Sequence, residues 1–165
     1  MNHLVISCIG PDQIGLVDLL SKIINDHHGN WQVSSLHHLS GFFAGVIEVA
    51  VKESECQNLI TALKAITGLK CQIEQAEFNQ EQVSTNLLLE LTANDRVGII
   101  QEISSVIHQQ GGNLIKLVSS QASAPHTGQL MFNAKVQVAI NSAEIDDLVS
   151  ALEHIADDLM VDVTR

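Results

Sequence analysis

The chain carries one pattern twice. Gly10-Pro11-Asp12-Gln13-Ile14-Gly15 returns as Ala93-Asn94-Asp95-Arg96-Val97-Gly98, offset by 83 residues. At the same offset Leu16, Val17, Leu20, Ile23 and Ile24 become Ile99, Ile100, Ile103, Val106 and Ile107, and Gly29-Asn30 becomes Gly112-Asn113. Further on the offset grows to 89, where Leu59, Leu63 and Ile66 become Leu148, Leu152 and Ile155. The six extra residues fall near Ser123-Ala124-Pro125-His126-Thr127-Gly128, which places an insertion in a turn. A repeat of this kind constrains the fold before any local propensity does. It implies two small, similar domains, and a site in one has a counterpart in the other. The expected division is residues 1–79, a linker over 80–86, and residues 87–165.

Periodicity gives each copy the same order of elements. Leu4-Val5-Ile6-Ser7-Cys8-Ile9 is a short apolar run closed by Gly10-Pro11, as in a buried strand. Asp12 is placed to cap the following helix with its carboxylate. Leu16, Leu20, Ile23 and Ile24 form a helical stripe, and Gly29 stands where a left-handed residue ends it. Asn30 to His38 reads as a strand with Trp31, Val33 and Ser35 on one face. Ser40-Gly41 turns the chain into a second strand, Phe42 to Val51, and the pair makes a hairpin. Ser54-Glu55-Cys56-Gln57 has the spacing of a capping box. Leu59, Ile60, Leu63 and Ile66 stripe a second helix, which Gly68 stops. Leu69, Cys71 and Ile73 then alternate with polar residues, as in a half-exposed strand.

In the second copy the strands fall near 87–92, 113–122, 129–140 and 159–163, and the helices near 97–110 and 143–156. The class is α+β, with two ferredoxin-like βαββαβ domains. Right-handed crossovers put both helices on one face of a four-stranded antiparallel sheet. The opposite face is then partly bare. Its natural cover is the other copy or a second chain, and the latter would make the protein a homodimer.

Charge narrows the partners. The chain carries 8 Lys+Arg against 19 Asp+Glu, a formal net charge of −11. Residues 1–80 contribute −4 and residues 81–165 contribute −7. Neither half presents a basic face to phosphates, so direct nucleic-acid binding is not expected. With no tyrosine and 3% aromatic residues, base-stacking platforms are lacking as well. No apolar run approaches the ~20 residues of a membrane span, and no basic segment precedes Leu4 as a signal peptide requires. The expected location is the cytoplasm. Cys8, Cys56 and Cys71 are odd in number and widely spaced, which fits buried free thiols in a reducing compartment.

The turn between first strand and first helix carries the most chemistry. A glycine there lets a ligand approach the backbone, and a helix N-terminus presents N–H groups and partial positive charge to a carboxylate. Asn30 and Asn113 add neutral donors and acceptors at the start of the next strand. Asp12, Gly15, Leu16 and Asn30, with Asn94, Asp95, Gly98, Ile99 and Asn113, are therefore the candidate ligand-binding residues for a small zwitterion. The plainer alternative is that glycine permits packing and asparagine caps a turn. No metal site is expected: His37 and His38 are strand neighbours on opposite faces, and no Cys/His spacing fits zinc. The sequence has no Gly-x-Ser-x-Gly and no phosphate loop, so no cofactor and no enzymatic activity are expected. Asp146, Asp147, Glu153, Asp157 and Asp158 read as a solvated acidic face, or as a docking surface for a basic partner.

The βαββαβ order, with Asp-Gln-Ile-Gly-Leu-Val and Asp-Arg-Val-Gly-Ile-Ile at the first helix and Gly-Asn after it, resembles the ACT domain family. The resemblance covers residues 3–78 and 86–165. The family motif has proline where this chain has Ile14 and Val97, and arginine where the first copy has Gln13. Two bare copies resemble the glycine cleavage system transcriptional repressor group, as do Ser34-Ser35-Leu36 and Ser40-Gly41-Phe42-Phe43. The resemblance implies a non-enzymatic cytoplasmic regulator that senses a small amino acid such as glycine. It would act on a transcription activator by protein contact. Two alternatives stay open: an interaction module whose sites have decayed, and a detached regulatory subunit of an amino-acid enzyme.

Overall fold

The computed structural model describes residues 1–76 and 85–164. The chain divides into two compact units, Met1–Gln80 and Glu81–Arg165. In the first, β1 (Asn2–Pro11), α1 (Leu16–Asp26), β2 (Asn30–Leu39), β3 (Phe42–Val51), α2 (Glu53–Lys64) and β4 (Lys70–Ala76) follow in order. In the second, β5 (Thr85–Asn94), α3 (Ile99–Gln109), β6 (Asn113–Ser123), β7 (Leu130–Ile140), α4 (Ile145–Glu153) and β8 (Met160–Thr164) repeat it. The sheets have the orders β2-β3-β1-β4 and β6-β7-β5-β8, and every pair is antiparallel. The expected ferredoxin-like α+β fold is present twice. The linker expected over 80–86 lies mostly outside the described residues. Its last two positions, Thr85 and Asn86, pair with Ile140 and Ala139 instead, because the ladder of β5 runs to the end of β7.

Each core is one sheet face under two helices. In the first unit Leu16, Leu20 and Ile24 of α1 and Cys56, Leu59 and Leu63 of α2 cover Leu4 and Ile6 of β1 and Ile47, Val49 and Val51 of β3. In the second, Ile103 and Ile107 of α3 and Leu148 and Leu152 of α4 cover Leu87, Leu89 and Leu91 of β5 and Val136 and Val138 of β7. Each such side chain contributes about 1.5–3 kcal/mol when fully buried. No polar or charged side chain is buried among the described residues. Both outer faces expose apolar side chains: Val5, Ile9, Val33, Phe42 and Val46 on the first sheet, and Leu88 and Val118 beside Glu90, Lys135 and Asp162 on the second.

The inserted residues near Ser123–Gly128 form a loop between β6 and β7. The Ala124 N–H donates to Gln129 O at 2.8 Å, and Gly128 has φ +67. The first unit closes the same hairpin with two residues, Ser40 at φ +50 and Gly41 at φ +84, the signs that match strand twist in a two-residue loop.

Four local expectations are corrected. The N-cap of α1 is Gly15, not Asp12, so the Asp12 carboxylate is left to other partners. Ser54 caps nothing: α2 starts two residues earlier than a Ser54 cap requires, with Lys52 at its N-cap and no side-chain cap bond. Trp31 does not share a face with Val33 and Ser35. A bulge at Gln32 shifts the register, so Trp31 packs on the core while Val33 and Ser35 face outward. A bulge recurs at Ile115 in β6, between Leu114 and Lys116.

The fourth correction concerns the end of α1. His28, at φ +56, carries the left-handed conformation rather than Gly29. The bonds His28 N–H to Asn25 O and Gly29 N–H to Ile24 O, both 2.9 Å, make a Schellman ending. Gly29 is needed for space: a Cβ there would meet Ile24 Cγ2 at 2.9 Å and Val49 Cγ1 at 3.0 Å. The second unit has the same ending with Gly111, φ +78, at the left-handed position and Gly112 at the tight one. A left-handed residue with a Cβ costs about 1–2 kcal/mol relative to glycine. His28→Gly is therefore expected to stabilise the protein by about 1 kcal/mol, and Gly111→His to destabilise it by a similar amount. Denaturant midpoints at constant slope test this, and an unchanged or lower midpoint for His28→Gly would refute it.

Candidate functional site

The turns entering α1 and α3 have the same backbone. Gly15 has φ +87 and ψ 11, and Gly98 has φ +88 and ψ 0. Both stand at the helix N-cap with no side-chain cap bond, and no atom lies within 4 Å of where a Cβ would be. The first requirement for glycine is therefore the positive φ, which a β-carbon strains whatever the surrounding space. The open approach comes with it. Ile14 and Val97, the residues before these glycines, are fully exposed at 107% and 101%.

The turn aspartate is braced in the same way in both units. In the first, Asp12 N–H donates to Gly41 O at 3.0 Å, and His38 Nδ1 of β2 lies 3.2 Å from Asp12 Oδ2. In the second, Asp95 N–H donates to Leu130 O at 2.9 Å, and Gln121 Nε2 of β6 donates to Asp95 Oδ2. His38 and Gln121 are themselves related by the offset of 83 residues. Nothing local in the sequence ties them to the turns, since the hairpin brings them there from 26 residues away.

The flanking residues diverge. Asn94 N–H donates to Asp158 Oδ2 at 2.7 Å. The equivalent of Asn94 is Pro11, which has no N–H to donate. The ladders set Lys70 opposite Ile9 and Met160 opposite Thr92, an offset of 90 at this end, so the equivalent of Asp158 is Gly68, whose carbonyl comes so near Gly10 that a Cβ on Gly10 would lie 2.1 Å from it. Arg96 makes two bonds to Glu102, Nη1 to Oε1 at 2.8 Å and Nη2 to Oε2 at 2.5 Å. Hydrogen bonding to Glu102 raises the Arg96 pKa, and the same bonds lower that of Glu102. A ligand carboxylate would have to displace Glu102 to reach this guanidinium. Around the second turn, Asp95 and Asp158 favour an ammonium group.

The other candidate residues are not gathered here. Leu16 and Ile99 are buried in their cores, so only their backbone faces the turn. Asn30 pairs with Ala50, level with His3, whereas the turn leaves β1 at Pro11, level with Phe42 and Leu39. Eight residues of β1 separate the two levels, roughly 26 Å at about 3.3 Å per residue. Asn113 likewise pairs with Ala139, level with Asn86, while Asn94 is level with Met131. A molecule the size of glycine cannot touch the turn and this asparagine of one unit together. Asn30 instead borders a groove of about 470 Å³ with Asp18, Lys22, Gly29 and Trp31. Shallow grooves also lie on the sheets, one of about 260 Å³ along Glu90, Thr92, Val118, Ser120 and Lys135.

His37 and His38 do face opposite sides of β2: His37 Nε2 is 3.0 Å from Ser35 Oγ on the outer face, while His38 reaches Asp12. Among the described residues no three His, Cys, Asp or Glu side chains gather as metal ligands would, and no helix is long and apolar enough to cross a membrane.

No protein-family model matches the sequence, and no curated protein matches it significantly. Solved structures do match the fold. A protein of unknown function from Galdieria sulphuraria superposes with a TM-score of 0.83 at 23% identity, over 98% of this chain and 96% of that one. A structure described as a "putative glycine cleavage system transcriptional repressor" superposes with a TM-score of 0.66 at 15% identity, over 99% of this chain and 96% of that one. The tandem arrangement of two βαββαβ units is thus shared end to end with both.

Gly15→Ala and Gly98→Ala are each expected to cost about 1–2 kcal/mol of stability by backbone strain alone, with no clash. Chemical denaturation of the two variants checks this, and costs below about 0.5 kcal/mol would remove the positive-φ explanation. A bulkier Gly98→Val combines that strain with a blocked approach, so its binding is interpretable only against the alanine variant.

Proposed function

We propose that this protein is a non-catalytic regulator that responds to a small amino acid, with glycine the leading ligand. The observation that carries the reading is the repeated turn. In both units an open, left-handed glycine at a helix N-terminus sits beside a braced aspartate. A zwitterion fits this chemistry, with its carboxylate at the helix N–H groups and its ammonium at Asp12 or Asp95. Asn94 and the backbone of Leu16 and Ile99 border the same turns. The fold shared with the structure described as a glycine cleavage repressor agrees with this reading, as does the sequence resemblance to ACT domains.

The regulatory output in this proposal is protein contact with a transcription activator in the cytoplasm, repressing glycine cleavage genes. The acidic charge of −11 favours a partner with a basic surface and disfavours DNA itself. A second reading, an interaction module that needs no ligand, draws on the engaged Arg96 and the exposed Ile14 and Val97.

Calorimetry and thermal unfolding with the twenty amino acids separate the two. Glycine at 100 times its dissociation constant is expected to stabilise the folded state by about 2.7 kcal/mol. Glu102→Gln, which loosens the competitor for Arg96, is expected to tighten binding to the second unit several-fold. No heat and no stabilisation with any amino acid would reject ligand sensing and leave the interaction module. The pure protein is further expected not to retard DNA in a low-salt gel shift, and specific retardation at sub-micromolar protein would overturn the indirect route.

A further inference from the structure

Cys8 and Cys71 are 63 residues apart in sequence yet directly opposite each other on β1 and β4. Both side chains lie on the helix-covered face, Cys8 buried at 4% exposure and Cys71 at the partly exposed margin of the core. Directly opposed residues of an antiparallel pair have Cα atoms about 4.5 or 5.5 Å apart, and both spacings lie within the range a disulfide spans. One feature lets the sulfurs approach: β4 is an edge strand, held on one side only. On the other flank Cys8 is opposite Gly45, and Cys8 Sγ lies 3.8 Å from the Gly45 carbonyl. The second unit gives the comparison: Leu91 faces Val161 at the same ladder position, an ordinary apolar pair. The fold needs no thiol there.

We propose that Cys8 and Cys71 are an oxidation-responsive modification site, closing reversibly to an intramolecular disulfide when a peroxide is present. The more exposed Cys71 reacts first. The interaction between the two facing sulfurs lowers the Cys71 pKa and, with burial, raises that of Cys8. The Cys71 thiolate attacks one peroxide oxygen: an S–O bond forms, the O–O bond breaks, and the departing hydroxide takes a proton to become water. Cys8 then loses its proton and attacks Cys71 Sγ, forming S–S and expelling hydroxide, which the proton converts to a second water. Two thiols are oxidised by two electrons and one peroxide is reduced. The bond ties the last strand of the first unit to its first strand. Cys56, buried on α2, has no part in it.

The test is hydrogen peroxide treatment of the native full chain, followed by non-reducing peptide mapping with mass spectrometry. The expected product is a Cys8–Cys71 cross-linked peptide in the wild type and in Cys56→Ala, one peroxide consumed per chain, reversed by dithiothreitol. The oxidised first unit should also unfold at a higher temperature, with the second unchanged. The same oxidation in urea should scatter pairings to Cys56, which marks the native pairing as a property of the fold. Cys71→Ser, with circular dichroism confirming its fold, should give no cross-link. Free thiols throughout, sulfinic or sulfonic acid at Cys71 without a cross-link, or disulfides only between chains would each overturn the proposal.

Discussion

A four-stranded antiparallel sheet hides only as much apolar surface as the helices laid on it can cover. Here both crossovers place their helices on the same face, so each unit of roughly 80 residues buries one face of one sheet. Domains this small have little burial to spare. Close approach must then be bought with glycine. Gly29 and Gly112 let the end of a helix settle on Val49 and Val138, with a Cβ excluded at about 3 Å in both units. Gly45 sits where a Cβ would lie 2.4 Å from the carbonyl of Ser35. The bulges at Gln32 and Ile115 serve the same end by turning Trp31 and Leu114 onto the core where simple alternation would spend the strand differently.

The same one-sided packing positions the turns. Both leave the sheet at the end of its central strand, where the hairpin tip and the turn before the last strand converge. Backbone conformation there is a matter of sterics and is the same twice. Side chains are free to differ, and they do. The first turn is lightly charged, with Asp12 against His38, while the second concentrates Asp95, Asp158, Arg96 and Glu102. In the proposed reading, two turns with one scaffold and different electrostatics would differ in affinity for the same ligand.

Much of this was legible beforehand. The stripe Leu16, Leu20, Ile24 and its copy Ile99, Ile103, Ile107 fix the buried helix faces, because helical period is a local property. The repeated glycines at Gly15 and Gly98 pointed to the turn. What the sequence misjudged was mostly which of two residues, one to three positions apart, does a job. Asp12 has the chemistry of a cap but Gly15 has the position, and His28 takes the strain that Gly29 was expected to carry. Those outcomes depend on where the helix begins and ends to within a residue, and packing of the whole unit decides that.

The sequence alone determined the duplication, the order of elements, the class of fold and the acidic charge, all of which follow from residue type and local spacing. Tertiary structure alone decided which residues meet. Antiparallel register puts Asn30 at the far end of the sheet from Asp12, brings His38 and Gln121 to the turns, and sets Cys8 against Cys71. The reason is physical: one bulge or one residue of slip exchanges faces and partners along an entire strand. Such a choice is set by the summed fit of two helices on one sheet, and no short stretch of sequence contains it.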